Sequence, residues 1–166
     1  MRSYLKRIVL YLIGLFIMGI GVAFSFQSNL GSSPISSIPY SFYMIWGINV
    51  GIATIILHAI FVFVEFLLLR EYFEARFLLQ IVVGVFFGIF TDAGMYIVSF
   101  FPLSTSLLTS LIYLAISIIL VAFGLFLYIP QNIVQLVGEG VMQAIAIVTK
   151  KQFSKMLHNL TNFLIS

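Results

Sequence analysis

The sequence predicts an all-α polytopic membrane protein: four to five transmembrane helices plus one or two broken, re-entrant half-helices, with the layout of an inverted repeat. Three observations lead there. Of the 166 residues, 62% are hydrophobic and only 8% are charged, against about 25% charged in a soluble domain. No Asp, Glu, Lys or Arg occurs from Ile8 to Val64 or from Ala93 to Gly138. A soluble fold of this size leaves too much surface in water to hide such runs. The apolar stretches are near the ~20 residues that carry a helix across a bilayer, and barrel strands are about half that length. Soluble enzyme, nucleic-acid binder and disordered chain are thereby set aside. With no cysteine and two histidines, no disulfide framework, thiolate metal site or multi-His centre is expected, and no cofactor.

The elements follow in order. The first span covers about 8–27. It has basic residues before it but no short apolar core with a small-residue cleavage site, so it reads as a retained span rather than a signal peptide. Residues 28–46 form a non-spanning or re-entrant segment: a polar Gly/Pro/Ser-rich stretch, then an apolar piece from Tyr40 to Trp46 too short to cross. The second span covers about 50–69 and the charged loop Arg70–Arg76 follows. The third span covers about 77–101, the break Pro102–Ser106 follows, and the fourth span covers about 107–129. Residues 130–148 form the second non-spanning segment, and 149–166 a tail. All of 1–166 forms one transmembrane domain.

Orientation comes from the basic residues. All eight fall in three clusters: Arg2, Lys6 and Arg7; Arg70 and Arg76; Lys150, Lys151 and Lys155. With a cytoplasmic N-terminus and four alternating spans, the first two clusters lie inside and the uncharged 28–50 and 102–106 segments outside. The third cluster is also inside if 130–148 dips in and returns or lies along the interface. A multi-pass protein of the cell membrane is expected, with both termini cytoplasmic. Each non-spanning segment follows a long span and opens on a break containing Pro and Asn, from opposite sides of the membrane. That is the pattern of an inverted repeat with broken helices meeting near the midplane. Two ordinary interfacial loops would give the same sequence pattern.

Ionisable residues at depth are expensive and should face the bundle interior. They are His58, Glu65, Asp92 and Glu139. His58 shares a face with Gly51, Thr54, Phe61 and Glu65. Asp92 shares one with Gln80, Gly84 and Gly88. Lying near the centres of their spans, His58 and Asp92 are expected to meet, as a proton relay or solute anchor, or else as a buried pair fixing helix register. Glu65, close to Arg70, is expected to snorkel or pair near the cytoplasmic surface. Gly84/Gly88 and Gly47/Gly51 have the spacing of close helix contacts. So do Gly14, Met18, Gly21 and Ser25 on the first span, and Ser110, Ser117 and Gly124 on the fourth. Tyr4, Tyr40, Tyr43, Trp46 and Tyr128 are placed as an interfacial aromatic belt.

Ser33 followed by Pro34 is a helix start, with Ser as N-cap and Pro at the first helical position. Gly31 permits the turn before it. Aimed into the bundle, such a start would favour an anionic group. Asn29, Gly31, Ser32 and Ser33 are therefore candidate solute-binding residues. In the second segment, Gly138 and Gly140 let backbone approach Glu139, whose carboxylate suits a cation or amine. Gln135 and Gln143 are candidate co-ligands, as is Asn132. There is no G-x-S-x-G, H-E-x-x-H or phosphate loop, so neither an enzyme nor a metal site is expected. The Asn159-Leu-Thr161 sequon falls on the expected cytoplasmic side.

At these same motifs the chain resembles the bacterial YczE/YyaS/YitT-like membrane protein family. The resemblance rests on the basic N-terminus, Asn29-Leu-Gly-Ser-Ser-Pro34, Trp46-Gly47 with Gly51, Pro130, Gly138-Glu139-Gly140 and Phe153-Ser-Lys155. It implies a multi-span inner-membrane protein, presumed a transporter, with 29–34 and 138–140 as shared core and no established substrate. Members usually continue with a further span, so a shortened member is expected, or a bundle completed by a partner subunit or second copy. The functional expectation is a small-solute transporter of the bacterial inner membrane, proton-coupled through His58 and Asp92. The solute would be small and polar, and the lipid bilayer its surroundings. Alternatives are the substrate-binding membrane subunit of a larger uptake complex and a non-transporting scaffold or assembly factor.

Overall fold

The computed structural model describes residues 2–70 and 75–150. The centre of the charged loop, the sequon, and the tail with Lys151, Lys155 and Phe153-Ser-Lys155 lie outside the described residues. The described part is helical: α1 (Arg2–Gln27), α2 (Pro34–Trp46), α3 (Val50–Leu69), α4 (Leu79–Val98) and α5 (Leu107–Tyr128), then α6 (137–150). Short 3-10 turns, Ala75–Leu78 and Ile129–Gln131, precede α4 and follow α5. Among the described residues, four helices are long and apolar enough to cross a membrane, those beginning at Tyr4, Val50, Leu79 and Leu107. This is an all-α, multi-span membrane protein.

Helix α1 is the hub and packs on α4 and α5, while α3 packs on α4 and on α2. Small residues set the closest approaches, because without a hydrophobic drive between helices in lipid, association rests on close van der Waals packing. A Cβ on Gly14 would lie 2.9 Å from the Gly124 carbonyl oxygen, and one on Gly94 2.8 Å from that of Gly19. Gly14, Met18 and Gly21 meet α5 as their spacing predicts, and Ser110, Ser117 and Gly124 are buried. Gly47 departs from its expected packing role. It caps α2 at φ 67, its N–H reaching the Tyr43 carbonyl, and nothing stands within 4 Å of where its side chain would be.

One end of the bundle holds Gln27, whose amide donates to the Pro102 carbonyl, and Tyr113, whose hydroxyl donates to the same oxygen at 2.7 Å. The other end holds Arg7, which donates to the Gln131 carbonyl. The two short helices are disposed in opposite senses about this axis. From the Gln27 end the chain turns back, and α2 begins at Pro34, its Ile35 and Ser36 bordering a small pocket with Val22 of α1, and returns with Tyr40 stacked on Phe26 at 4.3 Å. From the Gln131 end the chain turns inward, and α6 begins beside Ile35 and runs with Gly140 against Glu65 and Ala144 against Leu69 and Phe77. The starts of the two helices meet where Gly138 faces the Ile35 side chain.

Candidate functional site

The α2 start forms as its residues dictate. Ser33 is extended (φ −61, ψ 150) and its Oγ accepts the Ser36 N–H at 3.2 Å, satisfying one of the donors a helix start leaves free. Pro34 has no N–H to satisfy. Gly31 holds φ 118, and its carbonyl accepts the Ser25 hydroxyl at 2.9 Å. That bond ties the returning chain to α1.

These starts border a cavity of about 740 Å³, walled by α1, α5, α2, α6 and the middle of α3. Most of its lining is apolar, from residues such as Met18, Val121, Leu125 and Leu136. Its polar side includes Ser25, Ser32, Ser33, Ser36, Ser117, His58 and Glu139. His58 is 3% exposed. Its Nδ1 lies 2.8 Å from the Thr54 carbonyl oxygen, while its Nε2 has no partner. Gly84 makes room for the ring, since a Cβ there would fall 2.6 Å from His58 Cδ2.

Glu139 is held by α5. The Tyr128 hydroxyl donates to Glu139 Oε2 at 3.0 Å and accepts the Leu136 N–H at 2.7 Å. Tyr11 packs beside Tyr128, the rings tilted by 44°, and donates to the Val134 carbonyl at 2.9 Å. Tyr128 is thus buried at 2% exposure and positions the start of α6, where an interfacial tyrosine was expected. A tyrosine at a helix end carries the same sequence signal in both roles.

The remaining candidates separate by depth. Gln135 and Gln143, with Glu139, Asn132 and Gln80, line a second chamber of about 240 Å³ at the Gln131 end. Asp92 borders a third, of about 690 Å³ at the Gln27 end, with Asn49, Tyr96 and Gln27. Asn29 is exposed at φ 54 and borders none of these three.

The expected His58–Asp92 pair does not form. Asp92 Oδ1 accepts the Gly51 N–H at 2.7 Å, in the first turn of α3, whereas His58 faces Gly84. The cause is antiparallel register: α3 and α4 run in opposite directions, so positions rising along one meet positions falling along the other. The third partnership in this register is Glu65 with Gln80. Glu65 is 0% exposed, and its Oε2 accepts the Gln80 amide at 3.0 Å. It neither snorkels nor reaches toward Arg70. The helical stripe containing Gln80 had marked this residue as inward-facing, but no spacing rule links it to Glu65.

No solved structure matches the chain. Over 122 residues it is 26% identical to the uncharacterized protein YyaS of Bacillus subtilis (strain 168), a match covering 74% of this chain and 59% of that protein. The chain therefore spans less than two thirds of that relative's length. A family of unknown function, DUF6198, is matched across residues 5–166, and this YyaS-like membrane protein belongs to it.

Proposed function

We propose that this protein carries a small solute across the bacterial cell membrane and holds it in the 740 Å³ cavity. The observation that supports this most is the meeting of two oppositely directed short helices at a cavity that is also lined by His58, a buried histidine whose Nε2 has no partner. Broken helices with their starts at such a site are a recurrent feature of secondary transporters. Irregular backbone at membrane depth persists where it is buried in protein or lines a water-filled cavity. The lining sets the chemistry of the solute. An apolar body suits the α1 and α5 wall, and a polar head group suits the Ser32, Ser33 and Ser36 side of the cavity, which His58 also borders. The chambers at either end, containing Asp92 and Gln143, would be the two approaches. In this reading α2 and α6 are the parts that move, the ends carrying Arg7 and Lys150 face the cytoplasm, and no bond is made or broken in the solute.

A thermal-shift screen of the purified protein against small metabolites tests it. A stabilising compound should lose its effect in His58→Ala while the variant's own melting stays cooperative. A hit that stabilises His58→Ala as strongly as the parent would overturn the assignment. A second reading, the solute-binding subunit of a larger uptake complex, is favoured by the exposed Ile118 and Ala122 of α5 in the lining of the same cavity. It predicts co-purification with further membrane subunits.

A further inference from the structure

Two buried oxygens in the α3–α4–α6 contact have no hydrogen-bond partner, Glu65 Oε1 and Gln80 Oε1. Their residues are 0% and 3% exposed. Both atoms lie near one point, the place where a side chain on Gly140 would begin, with Gln80 Nε2 2.7 Å and Gln80 Oε1 2.9 Å from it. The other halves of the two groups are already joined, Gln80 Nε2 to Glu65 Oε2 at 3.0 Å. We infer that Glu65 and Gln80 form a proton-binding site: a proton on Glu65 Oε1 donates to Gln80 Oε1 and closes a two-bond acid–amide ring. One proton satisfies both orphaned atoms. A bare carboxylate would leave two buried acceptors without a donor, and each unsatisfied buried polar group costs about 1–3 kcal/mol.

The surroundings set how the proton leaves. No lysine, arginine or histidine among the described residues makes an ion pair or hydrogen bond with Glu65. On its own helix His58 lies two turns away and Arg70 is exposed beyond the helix end. Across α4 the facing group is Gln80. On α6, Gly140 covers the pair, and the neighbouring Glu139 carboxylate is bound to Tyr128 of α5. Gln80 also borders the 240 Å³ chamber, so displacement of Gly140 opens Glu65 to water there. The Glu65 O–H bond then breaks, and the proton passes to that water. Proton release is in this way tied to the position of α6.

Infrared difference spectroscopy on the full chain in lipid nanodiscs at neutral pH tests the site. The parent should show a protonated-carboxyl band that is absent in Glu65→Gln, a variant able to form the same ring as an amide–amide pair. Should Glu65→Gln not fold, Gln80→Leu serves instead, and its carboxyl band must shift because the amide partner is gone. The proposal is overturned by a parent without such a band, by its persistence in Glu65→Gln, or by an unshifted band in Gln80→Leu. The readout needs no solute, so a protein that keeps the band but fails the metabolite screen loses the transport reading alone.

Discussion

Asp92 takes the Gly51 N–H at 2.7 Å while His58, two turns further along α3, faces Gly84 on the same neighbouring helix. The two ionisable side chains therefore act on separate parts of the molecule. Asp92 ties the first turn of α3 to α4, where a carboxylate is also favoured by the helix dipole. His58 borders the central cavity. Asp92→Asn keeps an acceptor oxygen for Gly51 and should cost less stability than Asp92→Leu, which strands that N–H at a cost of about 1–3 kcal/mol. In a double-substitution cycle, His58→Ala and Asp92→Asn should be additive within about 0.5 kcal/mol. Coupling well above that in thermal or denaturant unfolding would mean that the pair communicates after all.

The α3–α4 contact is close enough to be disturbed by one methyl group. A Cβ on Gly84 would sit 2.8 Å from the His58 Cβ, and one on Gly88 2.7 Å from the Gly51 carbonyl oxygen. Gly88→Ala meets backbone, which cannot rotate away, so the helices must separate. A loss of about 1–3 kcal/mol is expected, the usual range for overpacking. Gly47→Ala is a different case, because its space is open and only its left-handed φ of 67 is strained. It should lower stability by about 1 kcal/mol through the backbone alone. Unfolding midpoints in a fixed detergent compare the two.

These cases show what was legible in the sequence. Helix number, the limits of α3, the Ser33–Pro34 start and the Gly14/Met18/Gly21 stripe follow from local rules: apolar length, capping chemistry and helical period. The partners of His58, Asp92 and Glu65 do not, because they depend on how far α3 slides along α4, and a stripe of small residues gives a face without a depth. Glu65 illustrates the limit. Its nearness to Arg70 in sequence suggested the membrane surface, yet α6 folds back over it and places Gly140 against its carboxylate. Tyr128 was hidden for a related reason, since its partners Leu136 and Glu139 belong to a returning segment whose path no periodicity reveals.

Tyr128 gives a prediction of its own. Its hydroxyl accepts from the Leu136 N–H and donates to Glu139, so Tyr128→Phe removes two bonds at the start of α6 without changing the packed ring. A loss of about 1–3 kcal/mol is expected, and hydrogen exchange should rise at 136–140 more than in α3 or α4. Tyr11→Phe removes a single bond to the Val134 carbonyl and should be milder. Equal exchange in the parent and Tyr128→Phe across 136–140 would show that the ring contacts alone hold α6.

The meeting of α2 and α6 can be tested directly because the chain has no cysteine of its own. A Cβ at Gly138 would lie 2.5 Å from Ile35 Cδ1, so the combined Ile35→Cys and Gly138→Cys variant places two thiols within reach of a short bis-maleimide linker. It should cross-link efficiently within one chain, seen as faster migration on a denaturing gel. Ser41→Cys with Gly138→Cys is the control, since position 41 is exposed and nearly two turns further along α2; it should remain unlinked. If both pairs link alike, the two helix starts do not hold the defined contact on which the cavity depends. If only the first pair links, and a stabilising metabolite slows that reaction, the solute lies between the two helices rather than on the outer surface of the bundle.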